Sequence, residues 1–280
     1  MMRHWEGEQA MPGTIVAANW KMNGSLASAT GLSKEIARLL ANQSLANCQP
    51  VLFPPAPFLL AVDQQIRGTD IALGGQDCSA DSAGSFTGDL SAAMLRDVGC
   101  QFVIVGHSER RRFHGETNDT VRAKSAAAIG SQLTPVICVG ESEHGLSSQE
   151  LKKTLGEHVA GSLPDCAYPH SMVIAYEPVW AIGAAASAAI ERIDAAHRAI
   201  RSTLIDLLGS DFGGEAPILY GGSVNPANCA DIFSLDTVDG VLVGRSGLDA
   251  GEFAALVAAA QNRRVRTGRY SGDRRSSIGG

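Results

Sequence analysis

The sequence predicts a single-domain α/β protein whose strands close into a (β/α)8 barrel. Three observations carry this. Eight short, continuously apolar runs recur about 30 residues apart. Amphipathic helical stretches lie between them, and polar residues able to do chemistry end several of the runs. Runs that are apolar without alternation suit strands buried on both faces, as in a parallel sheet. Parallel strands need crossover helices, and eight such units is the number that closes a barrel. A chain of 280 residues, 45% of them hydrophobic, can bury a core of that size.

The elements follow in order. "TIVAANW" (14–20) is the first strand, with Asn19 at its end and Lys21 just beyond. In 25–41, Leu32, Ile36, Leu39 and Leu40 recur at helical spacing and form one apolar face. "PVLF" (50–53) and "IALGG" (71–75) are the second and third strands. "FVIVG" (102–106) is the fourth and runs into His107, after which Ser108 and Glu109 begin a helical turn. "TPVICVG" (134–140) is the fifth, and "MVIAY" (172–176), the sixth, ends at Glu177. The segment 187–208 aligns Ile190, Ile193, His197, Ile200, Leu204 and Leu207 on one helical face. "PILYGG" (217–222) leads to Ser223, and "GVLVG" (240–244) leads to Arg245. "EFAALVAAA" (252–260) is the last helix. An open, doubly wound sheet is the competing architecture. It would carry a glycine-rich dinucleotide loop after its first strand, and "NWKMNGS" is not one.

Composition narrows the function. The net charge is −6, with 29 acidic against 23 basic residues, which leaves no footprint for nucleic acid. The end of the chain differs: "QNRRVRTGRYSGDRRSSIGG" (261–280) holds six arginines and reads as a solvated tail, with weak anion binding as the alternative. No apolar run approaches the roughly 18 residues that span a bilayer, so no membrane association is expected. "MMRHWEGEQAMPG" lacks the apolar stretch of a secretory leader, and the six cysteines form no CxxC pair. A cytoplasmic protein with reduced thiols is expected. No cluster has metal-ligand spacing, so no metal is expected.

In a barrel all the carboxyl ends of the strands face one way, and chemistry is placed there. Glu177 is then a candidate general base whose pKa partial burial would raise, although a carboxylate at a strand end can also be merely ion-paired. His107 at a helix N-terminus is disfavoured as imidazolium, so a neutral ring can donate to a carbonyl oxygen. Lys21 is a surface lysine, a cation aimed at an anionic substrate or enediolate, or a Schiff-base lysine, the last wanting an apolar setting. "YGGSVNP" and "VGRSG" are glycine-rich ends that let backbone N–H groups approach a phosphate, and barrel phosphate sites follow strands seven and eight.

Several longer motifs are specific. "NWKMNG" (19–24), "VIVGHSERR" (103–111), "AYEPVWAIG" (175–183) and "YGGSVNPAN" (220–228), with "FTGDLSAAMLRDVGC" (86–100) and "TPVICVGE" (134–141), resemble the triosephosphate isomerase family in order and spacing. The resemblance covers about 14–260 and implies a TIM barrel isomerase domain there, an N-terminal extension at 1–13 and an Arg-rich tail at 261–280. It implies interconversion of dihydroxyacetone phosphate and glyceraldehyde 3-phosphate through an enediol, without a cofactor. By motif, Glu177 would be the base, His107 the electrophile, and Asn19 and Lys21 substrate-binding. Glu109 would support Lys21, and N–H groups at Gly183, Ser223, Gly244 and Arg245 would hold the phosphate. The segment 178–188 would be a lid, with Ile182 and Leu242 clamping the base. The family is usually dimeric, which implies a homodimer with Thr87 near the tip of the contacting loop 76–88.

Two departures from the family pattern stand out. Gly183-Ala184-Ala185-Ala186 replaces the usual Gly-Thr-Gly of the lid, and "VGRSGL" places Arg245 where the family has a second glycine. An isomerase of a related four-carbon sugar phosphate, of the erythrulose phosphate type, is therefore the alternative. A barrel that only binds a phosphorylated ligand is disfavoured by the intact Asn19, Lys21, His107 and Glu177.

Overall fold

The structure, a computed structural model, describes residues 13–168, 170–181, 188–261 and 263. The chain begins with β1 (Thr14–Asn19), α1 (Leu26–Leu40), β2 (Cys48–Phe53), α2 (Leu59–Ile66), β3 (Ala72–Gly75) and α3 (Ala92–Asp97). It continues through β4 (Phe102–Val105), α4 (Ser108–His114), α5 (Asn118–Gly130), β5 (Thr134–Val139) and α6 (Ser148–Ser162). It ends with β6 (Val173–Tyr176), α7 (Ile190–Glu215), β7 (Ile218–Tyr220), α8 (Cys229–Phe233), β8 (Gly240–Val243) and α9 (Ala250–Gln261). The strands are all parallel and pair in sequence order, and β8 pairs back onto β1, so the barrel closes.

The two-sided burial of each strand explains the unbroken apolar runs. Ile15 and Ala17 of β1, Val51 and Phe53 of β2, Ile104 of β4, Val136 of β5 and Ala175 of β6 pack together inside the barrel. The alternate residues Val16, Ala18, Leu52, Val105, Ile137 and Ile174 pack outward with the helices. Each fully buried aliphatic side chain contributes roughly 1.5–3 kcal/mol. Inside the barrel, a Cβ on Gly74 would lie 2.3 Å from the Phe53 ring, so a glycine on one strand admits the large ring of its neighbour.

Local signals set the helices. Ser25 caps α1 through reciprocal hydrogen bonds with Ser28, and Ser147 caps α6 in the same way with Glu150. On α7, Ile193, His197, Ile200 and Leu204 are buried, while Leu207 is 50% exposed, so the apolar face ends one turn earlier than the sequence suggests. Gly209 leaves the helical conformation at φ 82, a left-handed value that glycine adopts without strain, and interrupts α7. Five of the six cysteines are buried, Cys166 is exposed, and none is in a disulfide. Among the described residues no helix is long and apolar enough to cross a membrane. Of the extension and tail read from sequence, only Gly13, Gln261 and Arg263 fall within the described residues.

His197 is fully buried on α7, edge-on to Tyr176 with ring centroids 5.8 Å apart, and its Nδ1 lies 3.0 Å from the Thr237 carbonyl oxygen. Burial pushes its pKa down to about 4, aided by the Arg201 and Arg263 charges and opposed by the Thr237 hydrogen bond and Asp194. Its unfolded value is near 6.5, so the unfolded chain takes up the proton first and stability falls as pH drops from about 6.5 to 4. The stability advantage of the native chain over a His197→Asn variant should shrink by roughly 3 kcal/mol over that window, on the order expected for the shift. Urea denaturation of both proteins at a series of pH values measures it, and an advantage constant with pH would contradict the assignment.

Candidate active site

The carboxyl ends of the strands surround a cavity of about 780 Å³. Asn19, Lys21, His107, Glu177, Ser223, Leu242, Gly244 and Arg245 all line it. Thus eight residues drawn from five separate sequence motifs share one chamber. Ile182 and Gly183 lie outside the described residues, as do Ala184, Ala185 and Ala186. Thr87 lies away from the cavity in a stretch, 81–90, that is exposed throughout.

Glu177 emerges from β6 into a slot cut to its shape. Its N–H donates to the Val139 carbonyl at 2.8 Å, continuing the β5–β6 ladder beyond the strand end. A Cβ on Gly140 would meet the Glu177 carbonyl oxygen at 1.7 Å, and one on Gly221 would meet its Cγ at 2.9 Å. Two glycines on the flanking strand ends therefore create the space the glutamate fills. Its carboxylate is buried, with Oε1 2.9 Å from His107 Nε2 and Oε2 accepting the Ser108 N–H at 2.9 Å.

His107 caps the N-terminus of α4, and the Glu109 N–H donates to its Nδ1 at 3.2 Å. Nδ1 must present a lone pair to accept that bond, so the ring proton lies on Nε2, facing Glu177. The electrostatics add something sequence did not give. Burial pushes the Glu177 carboxyl up, but the charge and hydrogen bond of His107, the Ser108 N–H and Lys21 outweigh it and hold the group below its usual value. The expectation that burial would raise it is therefore corrected: the partners win over desolvation. Burial likewise pushes His107 down, while Glu177 and, less, Glu109 carry it up against Lys21. Most of the upward pull on the ring comes from Glu177.

Lys21 holds a left-handed backbone, φ 53, which is costly for a residue with a Cβ. Side chains on both sides fix it there. Asn19 Oδ1 accepts the Lys21 N–H at 2.9 Å, and Gln76 Nε2 donates to the Lys21 carbonyl at 2.9 Å and to the Phe53 carbonyl at 2.9 Å. The ammonium then reaches Glu109 Oε1 at 2.6 Å. The turn after β8 closes in on this lysine, since a Cβ on Gly244 would lie 3.6 Å from Lys21 Cε. Arg245 begins a 3₁₀ turn, Arg245–Leu248; it is exposed, and its side chain makes no hydrogen bond or ion pair among the described residues.

Several participants were not found from sequence. Gln76 follows β3 directly, so the rule that found His107 and Glu177, a polar residue at a strand's carboxyl end, also applies to it. Glu141 follows β5 and brackets the base from both sides: one of its oxygens, Oε1, accepts from Tyr176 Oη at 3.0 Å, Trp180 Nε1 at 3.0 Å and Arg192 at 2.9 Å. Asn23 and Asn225, inside the quoted motifs, also line the cavity, as do Leu248 and Glu252, which carry no sequence signal of their own.

The family profile of triosephosphate isomerase matches residues 14–260. The chain is 42% identical over 248 residues to the triosephosphate isomerase of Jannaschia sp. (strain CCS1), covering 88% of this chain and 97% of that protein. It is 44% identical over 247 residues to that of Ruegeria sp. (strain TM1040), covering 88% and 97%. It superposes with a TM-score of 0.80 on the crystal structure of triosephosphate isomerase from Bartonella henselae, at 35% identity, covering 89% of this chain and 99% of that one.

Proposed function

The chain belongs to the triosephosphate isomerase family and is an intramolecular aldose–ketose isomerase; on that premise we propose that Glu177 is the base moving a proton between the two carbons of a triose phosphate. The observation carrying this role is the pairing of Glu177 with His107 at 2.9 Å on the wall of the cavity. A carboxylate held ionised and shielded from water is ready to take a proton from carbon. To reach the substrate it must leave the ring or the Ser108 amide. The ring, relieved of its anionic neighbour, then offers Nε2–H to the carbonyl oxygen. That oxygen gains charge as the proton leaves carbon, and a fixed donor strengthens as it does so. Lys21, set by Asn19 and Gln76, supplies the opposing positive charge. The backbone N–H groups of Ser223, Gly244 and Arg245 fit the phosphate, because glycine and the open end of a 3₁₀ turn leave donors for an anion. Gly183 belongs to the same proposal by motif and lies outside the described residues.

A second reading rests on Arg245. An exposed guanidinium on the cavity wall, without a partner among the described residues, alters the charge where the phosphate would sit. It favours a substrate longer by one carbon, such as a four-carbon ketose phosphate, for which the guanidinium offers a further hydrogen-bonding group. We also infer a homodimer from the apolar side chains left open at the surface: Met22 is 96% exposed, Met94 55% and Phe86, next to Thr87, 47%. Six unpaired thiols accord with a cytoplasmic protein; recovery of the activity in a periplasmic or secreted fraction would contradict that.

Glu177→Gln should lower kcat by about 10²–10⁴-fold with KM little changed, the scale for a positioned base. Retained turnover would remove Glu177 from the mechanism. Arg245→Gly should shift the ratio of kcat/KM by about tenfold towards the three-carbon over the four-carbon ketose phosphate, the scale of one-methylene discrimination. An unchanged ratio would dismiss Arg245 as a selector. Sedimentation of the intact protein should give twice the 29.2 kDa chain mass, and a monomer at micromolar concentration would contradict the dimer.

A further inference from the structure

Arg111 lies on α4, one helical turn past His107, and its side chain folds back beneath the cavity. Four of the five N–H donors of its guanidinium are used. Nε donates to the Gly106 carbonyl at 2.9 Å, and one terminal nitrogen to Asn118 Oδ1 at 2.8 Å. The other donates both to the Cys138 carbonyl at 3.1 Å and to Ser162 Oγ at 3.0 Å. Ser162 in turn donates to Asn118 Oδ1 at 3.3 Å, so α5 and α6 are joined behind the same cation.

Two of these acceptors matter for chemistry. Gly106 is the residue before His107, and it has left the strand for a left-handed turn, φ 65. Cys138 precedes Val139, whose carbonyl receives the Glu177 N–H at 2.8 Å. The guanidinium therefore joins the backbone that aims the imidazole to the backbone that seats the carboxylate. β4 and β5 also pair directly, but their ladder ends at Val105↔Ile137, short of Gly106 and Cys138. Beyond that point the cation replaces the missing rungs. The space it occupies is reserved, since a Cβ on Gly106 would come within 3.1 Å of an Arg111 terminal nitrogen and 2.5 Å of Val121 Cγ2.

We infer that Arg111 is a positioning residue for the isomerisation, fixing the relative placement of His107 and Glu177 by bridging the carboxyl ends of β4 and β5. It does not line the cavity and is no candidate for contact with substrate. Lysine cannot perform the bridge, because its donors radiate from one atom while the task needs a fork spanning two strands. The inference rests on the proposal that His107 and Glu177 are the reacting pair, so Glu177→Gln is measured beside the Arg111 variants.

The experiment compares the intact protein with Arg111→Lys and Arg111→Met, using steady-state kinetics on dihydroxyacetone phosphate, with turnover normalised to the folded fraction by near-ultraviolet circular dichroism. Displacing the pair should lower kcat at least about tenfold in both variants, with KM within about twofold, since small errors in placement act on the chemical step rather than on binding. A purely structural arginine would lower the melting temperature while leaving kcat per folded molecule intact, and that result would overturn the inference. If Arg111→Met does not fold, Arg111→Lys decides: native kcat overturns, and the tenfold loss with KM preserved supports. An inactive Glu177→Gln beside a fully active Arg111→Lys would reject the positioning role alone. An active Glu177→Gln would instead reject the reacting pair.

Discussion

The site depends on a slot that only glycine leaves open. Glu177 sits between Gly140 and Gly221, and at either position a methyl group would collide with the glutamate's own atoms. The backbone of Glu177 is pinned to β5 by its N–H, and the Gly221 N–H donates to the Tyr176 carbonyl at 2.7 Å, so neighbours on both sides fix the residue. With its main chain immobile, the carboxylate has few places to go. The His107 ring and the Ser108 amide define its resting place, and the cavity defines the other.

Electrostatics then act on a fixed geometry. Burial alone would neutralise the pair by raising the acid and lowering the base. Proximity reverses both trends, because each partner favours the charged form of the other. Lys21 and Glu109 form a second pair beside the first, linked to it by the Glu109 amide on His107 Nδ1. One short segment, 107–109, thus supplies the electrophile, an amide for the base and the counter-charge for the lysine. The left-handed backbone at Lys21 shows the cost of this arrangement, and three hydrogen bonds from Asn19 and Gln76 hold it there or brace its neighbour.

Much of this was legible in the sequence because the barrel converts a one-dimensional rule into a three-dimensional one. Strands buried on both faces announce themselves as apolar runs, and the polar residues that end them lie at the end of the barrel where the cavity is. Asn19, Lys21, His107 and Glu177 follow from that rule. What escaped it depends on contacts between distant residues. Gln76 ends a strand like the others, but its contact with Lys21 spans 55 positions and that of Arg111 with Ser162 spans 51, and no local spacing signals either contact. The direction of the Glu177 shift escaped for the same reason: burial can be inferred from one residue, whereas a partner cannot.

Closure of β1 against β8 has a consequence for how the chain is made. The ribosome delivers β1 first and β8 last, so the first strand waits with one edge unpaired while most of the polypeptide is synthesised. An open edge is a template for pairing with another chain. The nascent barrel is therefore exposed to misassociation for most of its synthesis, and the danger ends only when Gly240–Val243 docks. The same strand brings Gly244 up to Lys21. Completion of the fold and completion of the cavity are one event, and a chain stopped short of its final strand has neither.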